Sequence, residues 1–577
     1  MERVIDFSRI PGSKFETEPV LISNNRAVLT YLPEINRLAL SSPFEDKEVA
    51  KQVPGASWKG EWKSWTYPLE YQTVLEVKRR FPNVVISDNV ARWMKQVEKR
   101  REQLINLKHL QDVPIEVTNS DKLYPFQRVG VNFIKEAKRV ILGDDMGLGK
   151  TFESQLGVES LHCARVLTLV PKAVYGTWKK ELIKWLPDRP YVLIQGSRKR
   201  KEKLLEQFKD GYLIISYESA TNLKDKLKAM PWDAVIVDEA HNLRNNKALR
   251  TKAIKEICKK IPVKIPMTGT PIMNSNIKAA RELFSILNFV YPERFTSFWR
   301  FIDQYYVYVD GEIKSLKNEK EFRAMLAPIL LRRMKTDVLH DLPEKTYSKR
   351  YIQLYPAEKK VLKQLEQSMV AQLSTGEEVA APVVLAQITR MRQCCISARL
   401  LSKNLDEQCE EYKSAKFDTL LEIIKESKDT HKMVMFTQFK EALKIIKTIL
   451  QLEGIPFLEL SGDVKGKKRE EAISRFQNED IPVMLCTIQA AGVGVDGLQV
   501  ADIAVFLDRH PTPGINLQAE DRLLRMGQRK NVTIIILIAE ETVEERIESI
   551  LEEKQATFDD WIEGTAQITN NDIRRLF

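Results

Sequence analysis

The chain has 577 residues, of which 43% are hydrophobic and 29% charged, and a formal net charge of +11 at pH 7. At about 100 to 200 residues per domain this length implies roughly three or more domains with cores of their own, and the composition excludes collagen-like and disordered chains. Six cysteines without a CxxC pair, a start without the basic-then-apolar pattern of a signal peptide, and no apolar run of about 18 residues exclude a disulfide-stapled secreted module, a zinc ribbon and a membrane span.

The chain is therefore expected inside a reducing compartment, in cytoplasm, nucleoid or nucleus. The basic surplus suits a polyanionic partner, because released counterions drive such binding whatever the sequence contacted.

Residues 1–117 read as a small α+β accessory domain, in which VPGASWKGEWKSWTYPL is a Trp-rich, strand-like unit punctuated by Pro54, Gly55 and Pro68. ARWMKQVEKRREQLINLKHL then reads as a basic connector helix. From 118 to 345 short β-branched runs, RVILGDD, ARVLTLVP, YLIISYE, DAVIVDEAH and KIPMTGTP, alternate with helical stretches, as buried parallel strands with crossover helices do. A helical interval from about 275 to 430 follows, with LRRMKTDVLHDLPEK as the connecting linker. From 346 to 577 a second strand set appears, KMVMFTQ, PFLELSG, PVMLCTI, DIAVFLD and VTIIILIA, and the chain closes on an amphipathic helix. The fold expected is α/β, with two parallel-sheet lobes.

The strand RVIL runs into GDDMGLGKT and then a helix, which is the context of a phosphate loop. The usual first glycine is Asp144 here, yet the Gly-x-Gly-Lys-Thr core is intact. Asp144 lies at the mouth of the loop, so its carboxylate need not meet the phosphates. Asp145, Met146, Gly147, Leu148, Gly149, Lys150 and Thr151 form the expected cradle for ATP, with Lys150 on the β- and γ-phosphates and the Thr151 hydroxyl on Mg²⁺. Asp238 and Glu239 emerge at the carboxyl end of a strand, where α/β sheets bind ligands. Asp238 suits the metal, and Glu239 the general base that orients and deprotonates water. Near the far end Gln518, Arg522 and Arg525 are spaced by four and three residues, which on a helix puts them on one face able to present arginines to a phosphate.

In order along the chain these motifs resemble the Swi/Snf family of superfamily II helicase-like ATPases, from 118 to 550. LYPFQRVGV, with Gln127, resembles the family's adenine-reading motif, and MTGTP the motif coupling ATP to DNA. LRRMKTDVLHDLPEK, RMRQCCI, VMFTQF, TIQAAGVGVDGLQ, QAEDRLLRMGQ and TVEERI are similar to its later segments, and Gln528 favours this family over RNA helicases. The resemblance implies two RecA-like lobes and ATP-driven movement on double-stranded DNA. It also implies backbone contacts to DNA by Pro171, Lys172 and Asn274 of the first lobe and by Gln438, Ser461, Thr487 and Gln489 of the second. VPGASWKGEWKSWTYP, with Trp58, Trp65 and Pro68, is similar to the HARP-type domain of annealing helicases, which implies recognition of branched DNA. Two departures, Ala491 for a glycine and one extra residue around Asp496-Gly497-Leu498, weaken the expected DNA coupling there. A strand-separating helicase and a non-catalytic, ATP-gated DNA clamp are the rival readings.

Overall fold

The computed structural model describes residues 26–269, 277–309, 312–317, 319–339, 342–374, 381–401, 414–464, 467–492, 497–525 and 527–561. The chain divides into two compact units, Met1–Asp145 with Gly149–Met334, and Lys335–Phe577 with Met146–Leu148. Among the described residues no helix is long and apolar enough to cross a membrane.

The first unit begins with a five-stranded sheet in the order Ser57–Lys59, Ser64–Pro68, Arg37–Ser41, Val28–Leu32, Val85–Ile86. All neighbours are antiparallel except the last pair. Alternation places Leu29, Leu38, Leu40 and Tyr67 on the covered face, each fully buried against the helices Tyr71–Arg80 and Asp88–Lys108. The basic helix is thus more than a connector, since its Val90, Trp93 and Met94 complete this core. Gly55, at φ +76°, is required: a Cβ there would lie 2.5 Å from Pro68 Cδ. Trp58 is 52% exposed and meets Trp65 edge-on at 5.5 Å.

Next comes a parallel sheet in the order Val263–Pro266, Ala234–Val237, Arg165–Val170, Gly211–Ser216, Tyr191–Leu193. Its inner strands are apolar without alternation because both faces are covered. Beyond Val263–Pro266 the Val140 amide donates to Lys264 O at 3.0 Å and the Thr268 amide to Leu142 O at 3.0 Å, so Ile141–Leu142 extends the sheet. Leu330–Leu331 then pairs in parallel with Ile141–Leu142. The start of the LRRMK segment is therefore a strand of the first unit and not only a linker. A second unexpected element is the antiparallel hairpin Tyr306–Val309 with Glu312–Leu316, set among the helices Ile277–Val290, Phe298–Tyr305 and Glu319–Leu326.

The second unit is built on six parallel strands in the order Lys345–Ile352, Val532–Ala539, Ile503–Phe506, Met433–Thr437, Val483–Thr487, Phe457–Leu460. Lys345–Ile352 is an edge strand that carries Lys345, Lys349 and Arg350, charge on an edge being a common protection against edge pairing, and its charged sequence concealed it. In the helix Ala415–Ser427, Lys416 is fully buried, and its ammonium donates to Leu507 O at 2.6 Å and Leu537 O at 2.9 Å beside Glu544 at 2.6 Å. Removing one partner of such a pair leaves an uncompensated buried charge. Lys416→Ala is expected to cost the second unit about 3–5 kcal/mol, read from its urea-unfolding transition. An unshifted transition would mean that water replaces the ammonium.

Candidate nucleotide site

The glycine-rich loop follows Ile141–Leu142 and leads into the helix Lys150–Glu159. Gly147 and Gly149 have φ of +81° and +89°, a region that side chains with a Cβ rarely adopt. At Gly149 a Cβ would also come within 2.3 Å of the Phe152 ring and 2.9 Å of Gln127 Nε2. Gln127, 1% exposed, is placed at this loop from the start of the helix Pro125–Ala137, with Oε1 accepting from the Tyr124 amide at 3.0 Å. Lys150 Nζ donates to the carbonyls of Asp144 at 2.6 Å and Asp145 at 2.9 Å. Burial lowers its pKa, while Asp144, Glu239, Asp145 and Asp238 act against that shift.

Asp144 is not at the mouth of the loop as expected but fully buried. Its side chain turns to Arg333.

Asp238 and Glu239 leave the end of the strand Ala234–Val237. Asp238 accepts from Trp178 Nε1 at 2.8 Å and from the Glu239 amide at 2.9 Å. Burial, and then Glu239 beside it, push the Asp238 carboxyl up to about 6. Glu239 is in the left-handed region at φ 50°, a strained conformation for a non-glycine residue and one that clusters at functional sites. The turn is held by the Ala240 amide on Met267 O at 2.8 Å, Asn242 Nδ2 on Glu239 O at 2.9 Å, and the Tyr217 hydroxyl on the carbonyls of Asp238 and Glu239. The Glu239 carboxylate lies 3.0 Å from His241 Nδ1. Sequence reasoning missed Trp178 and Tyr217, which lie 60 and 21 residues from Asp238 and carry no local signal.

In the second unit the expected single helix bearing Gln518, Arg522 and Arg525 is corrected. The helix Pro513–Glu520 carries Gln518 and stops before the arginines. The amides of Arg522 and Leu523 donate to Ala519 O at 3.2 Å and Glu520 O at 3.0 Å, in tighter turns. The physical reason lies in buried anchors. The Glu520 carboxylate is tied to Lys345 at 3.1 Å, Tyr347 at 2.7 Å and Arg509 at 3.3 Å, and Gln528 Nε2 donates to Ala501 O at 2.8 Å. These bonds, with Gly527 at φ +98°, draw the chain off the helical path.

The residues expected on DNA differ in presentation. Pro171 and Lys172 follow the strand Arg165–Val170, and Lys172 and Gln489 are exposed. Gln438 is turned onto Asp508 Oδ2 at 2.9 Å and Arg509 O at 2.8 Å, Ser461 and Thr487 are buried, and Asn274 lies outside the described residues. A cavity of about 470 Å³ lies elsewhere, lined by Arg37, Tyr71, Trp93, Arg101 and Arg294 of the first unit.

The family description SNF2-related domain matches residues 87–400, and Helicase conserved C-terminal domain matches residues 415–527. Saccharomyces cerevisiae "ISWI chromatin-remodeling complex ATPase ISW1" is 29% identical over 74% of this chain and 39% of its own length. Mus musculus "Chromodomain-helicase-DNA-binding protein 1-like" is 31% identical over 74% of this chain and 48% of its own, and Bacillus subtilis "Putative ATP-dependent helicase/translocase YwqA" is 27% identical over 84% and 53%. The chain thus spans about half or less of the length of these relatives. Among solved structures, the "Sulfolobus solfataricus SWI2/SNF2 ATPase core in complex with dsDNA" is 26% identical, with a TM-score of 0.39, covering 81% of this chain and 99% of that one.

Proposed function

Because the chain belongs to the SNF2-related family, whose domain occupies residues 87–400, we propose that it is a DNA-dependent ATPase that moves along double-stranded DNA and remodels DNA structures or protein–DNA complexes. The observation that carries this reading is the convergence of Lys150, Asp238 and Glu239 on one site, close enough for both carboxylates to act on the Lys150 ammonium.

The donor set fits Mg²⁺. Asp238 offers a buried hard carboxylate oxygen beside the phosphate loop, and Thr151 opens the following helix as its second residue. Bound there, the ion would neutralise charge on the transferring phosphoryl group. Lys150 and the loop amides bind the phosphates, Gln127 reads the base, and Glu239 takes the proton of the attacking water. Gln518, Arg522 and Arg525 supply the second unit's part, steadying charge in the transition state when the two lobes close. The accessory domain, with Trp58 exposed, directs the motor to particular DNA forms.

The sign of the pH dependence follows from burial. The folded protein keeps a proton on Asp238 up to about 6, so falling pH sets that proton against the metal. Mg²⁺-dependent nucleotide affinity should drop as pH falls through that value, by at most about tenfold per pH unit for one proton. Calorimetric titration with and without Mg²⁺ measures it, and a flat profile removes Asp238 from the metal.

The function itself is tested by ATPase rates with duplex, single-stranded and forked DNA at fixed salt, because affinity depends on ionic strength. Stimulation by duplex, with displacement of a triplex-forming strand and no opening of plain duplex, is expected. Robust unwinding of a plain duplex would instead establish the strand-separating reading, and DNA binding without turnover the clamp.

A further inference from the structure

Two acidic side chains of the phosphate loop and its helix meet an arginine remote in sequence, inside the first unit. Asp144 and Glu153 are both fully buried, and the Arg333 side chain is 10% exposed. Arg333 Nε donates to Asp144 Oδ2 at 3.0 Å, its Nη2 donates to Asp144 and to Glu153 Oε1 at 2.6 Å, and its Nη1 donates to Phe126 O. The other oxygens, Asp144 Oδ1 and Glu153 Oε2, have no hydrogen-bond partner among the described residues. One guanidinium therefore serves two buried carboxyl groups, of which burial pushes Glu153 up to about 8 against the pull of Arg333, a task its planar fork suits and an ammonium cannot copy.

The surroundings reserve space for this cluster. A Cβ on Gly130 would lie 1.6 Å from Glu153 Oε1 and 2.9 Å from Arg333 Nη2, so any larger residue at that helical position would push the cluster aside.

Both carboxylates belong to the nucleotide loop and its helix. Asp144 receives Arg333 on its carboxylate and the Lys150 ammonium on its carbonyl, while Glu153 stands three residues after Lys150. Arg333 belongs to the segment leaving the first unit, which is strapped to the same stretch by the amides of Ile141, Gly143 and Asp145 donating to Ile329, Leu331 and Arg333 carbonyls at 2.7, 2.7 and 3.0 Å. Loop and outgoing segment form one hydrogen-bonded body in which, among the described residues, Arg333 alone is ion-paired with both Asp144 and Glu153.

We propose that Arg333 is a positioning residue that couples nucleotide occupancy of the loop to the order of the segment leaving the first unit, by clamping Asp144 and Glu153. A ligand that fixes the loop then also fixes residues 330–338, where the chain passes toward its second unit. This rests on the ATP-binding reading of the loop.

The test uses the full chain and a non-hydrolysable ATP analogue with Mg²⁺. Hydrogen exchange is followed in a peptide spanning residues 330–338, which contains no phosphate-loop residue. In the unaltered chain the analogue should slow that exchange. In Arg333→Lys the slowing should vanish and analogue affinity should fall by about 5- to 150-fold, the usual range of a coupling between sites. Because Arg333→Ala would leave two buried carboxyl groups without their partner and could fail to fold, the companion variant is the charge-free triple Asp144→Asn, Glu153→Gln, Arg333→Met. It should fold, bind the analogue weakly and lack the linked protection. Protection persisting in Arg333→Lys or in the triple variant overturns the proposal. Failure of the unaltered chain to bind the analogue would overturn the ATP reading instead, whereas binding without protection at residues 330–338 overturns only the coupling.

Discussion

Glu239→Gln should keep ATP binding and lose hydrolysis, with turnover falling by about 10² to 10⁴, the range of general acid–base catalysis. The substitution preserves shape and removes the basic oxygen. The backbone bonds that fix the turn use the Ala240 amide and the carbonyls of Asp238 and Glu239, none of which it touches. Lys150 would lose one of the carboxylates acting on it, yet Asp144, Asp145 and Asp238 remain. Binding of a fluorescent ATP analogue should therefore stay within a few-fold of the parent while phosphate release stops. Unchanged phosphate release would remove Glu239 from the base role, and His241, whose ring lies beside its carboxylate, would be examined next.

Arg525→Ala should leave ATP and DNA binding intact and abolish DNA-stimulated turnover. An arginine that meets the phosphoryl group only in the transition state is worth about 10³ to 10⁵ in GTPases, and the loss here should approach that range. The position of Arg525 is fixed by main-chain bonds, its amide on Leu523 O at 3.1 Å and its carbonyl receiving the Gln528 amide at 2.9 Å. Truncating the side chain leaves those bonds in place, so the variant should fold. Equal stimulation of parent and variant by duplex DNA would place Arg525 outside the reaction.

Much of the site was legible because its chemistry is local. A phosphate loop is one strand, one turn and one helix start, and the spacing of Gly147, Gly149 and Lys150 states its geometry directly. Buried strands such as Ala234–Val237 announce themselves through unbroken apolar runs. The helix predicted to carry both arginines stopped short because Glu520 and Gln528 are anchored by partners that no spacing rule includes. The hairpin from Tyr306 to Leu316 did leave a signal, alternation around Asp-Gly in YVYVDGEIKSL, that the surrounding helical pattern obscured. Arg333 reads as linker charge until the fold brings it to Asp144, 189 residues earlier. Glu153 looks like an ordinary polar residue of a helix, and only the missing side chain at Gly130 hints at what it occupies.

The enclosed amine of Lys416 has a practical consequence. Acylating reagents attack neutral amines that water can reach, and this one is sealed beneath two carbonyls and a carboxylate. Its rate of labelling in the unaltered protein therefore counts the openings of the second sheet, a clock that needs no mutation.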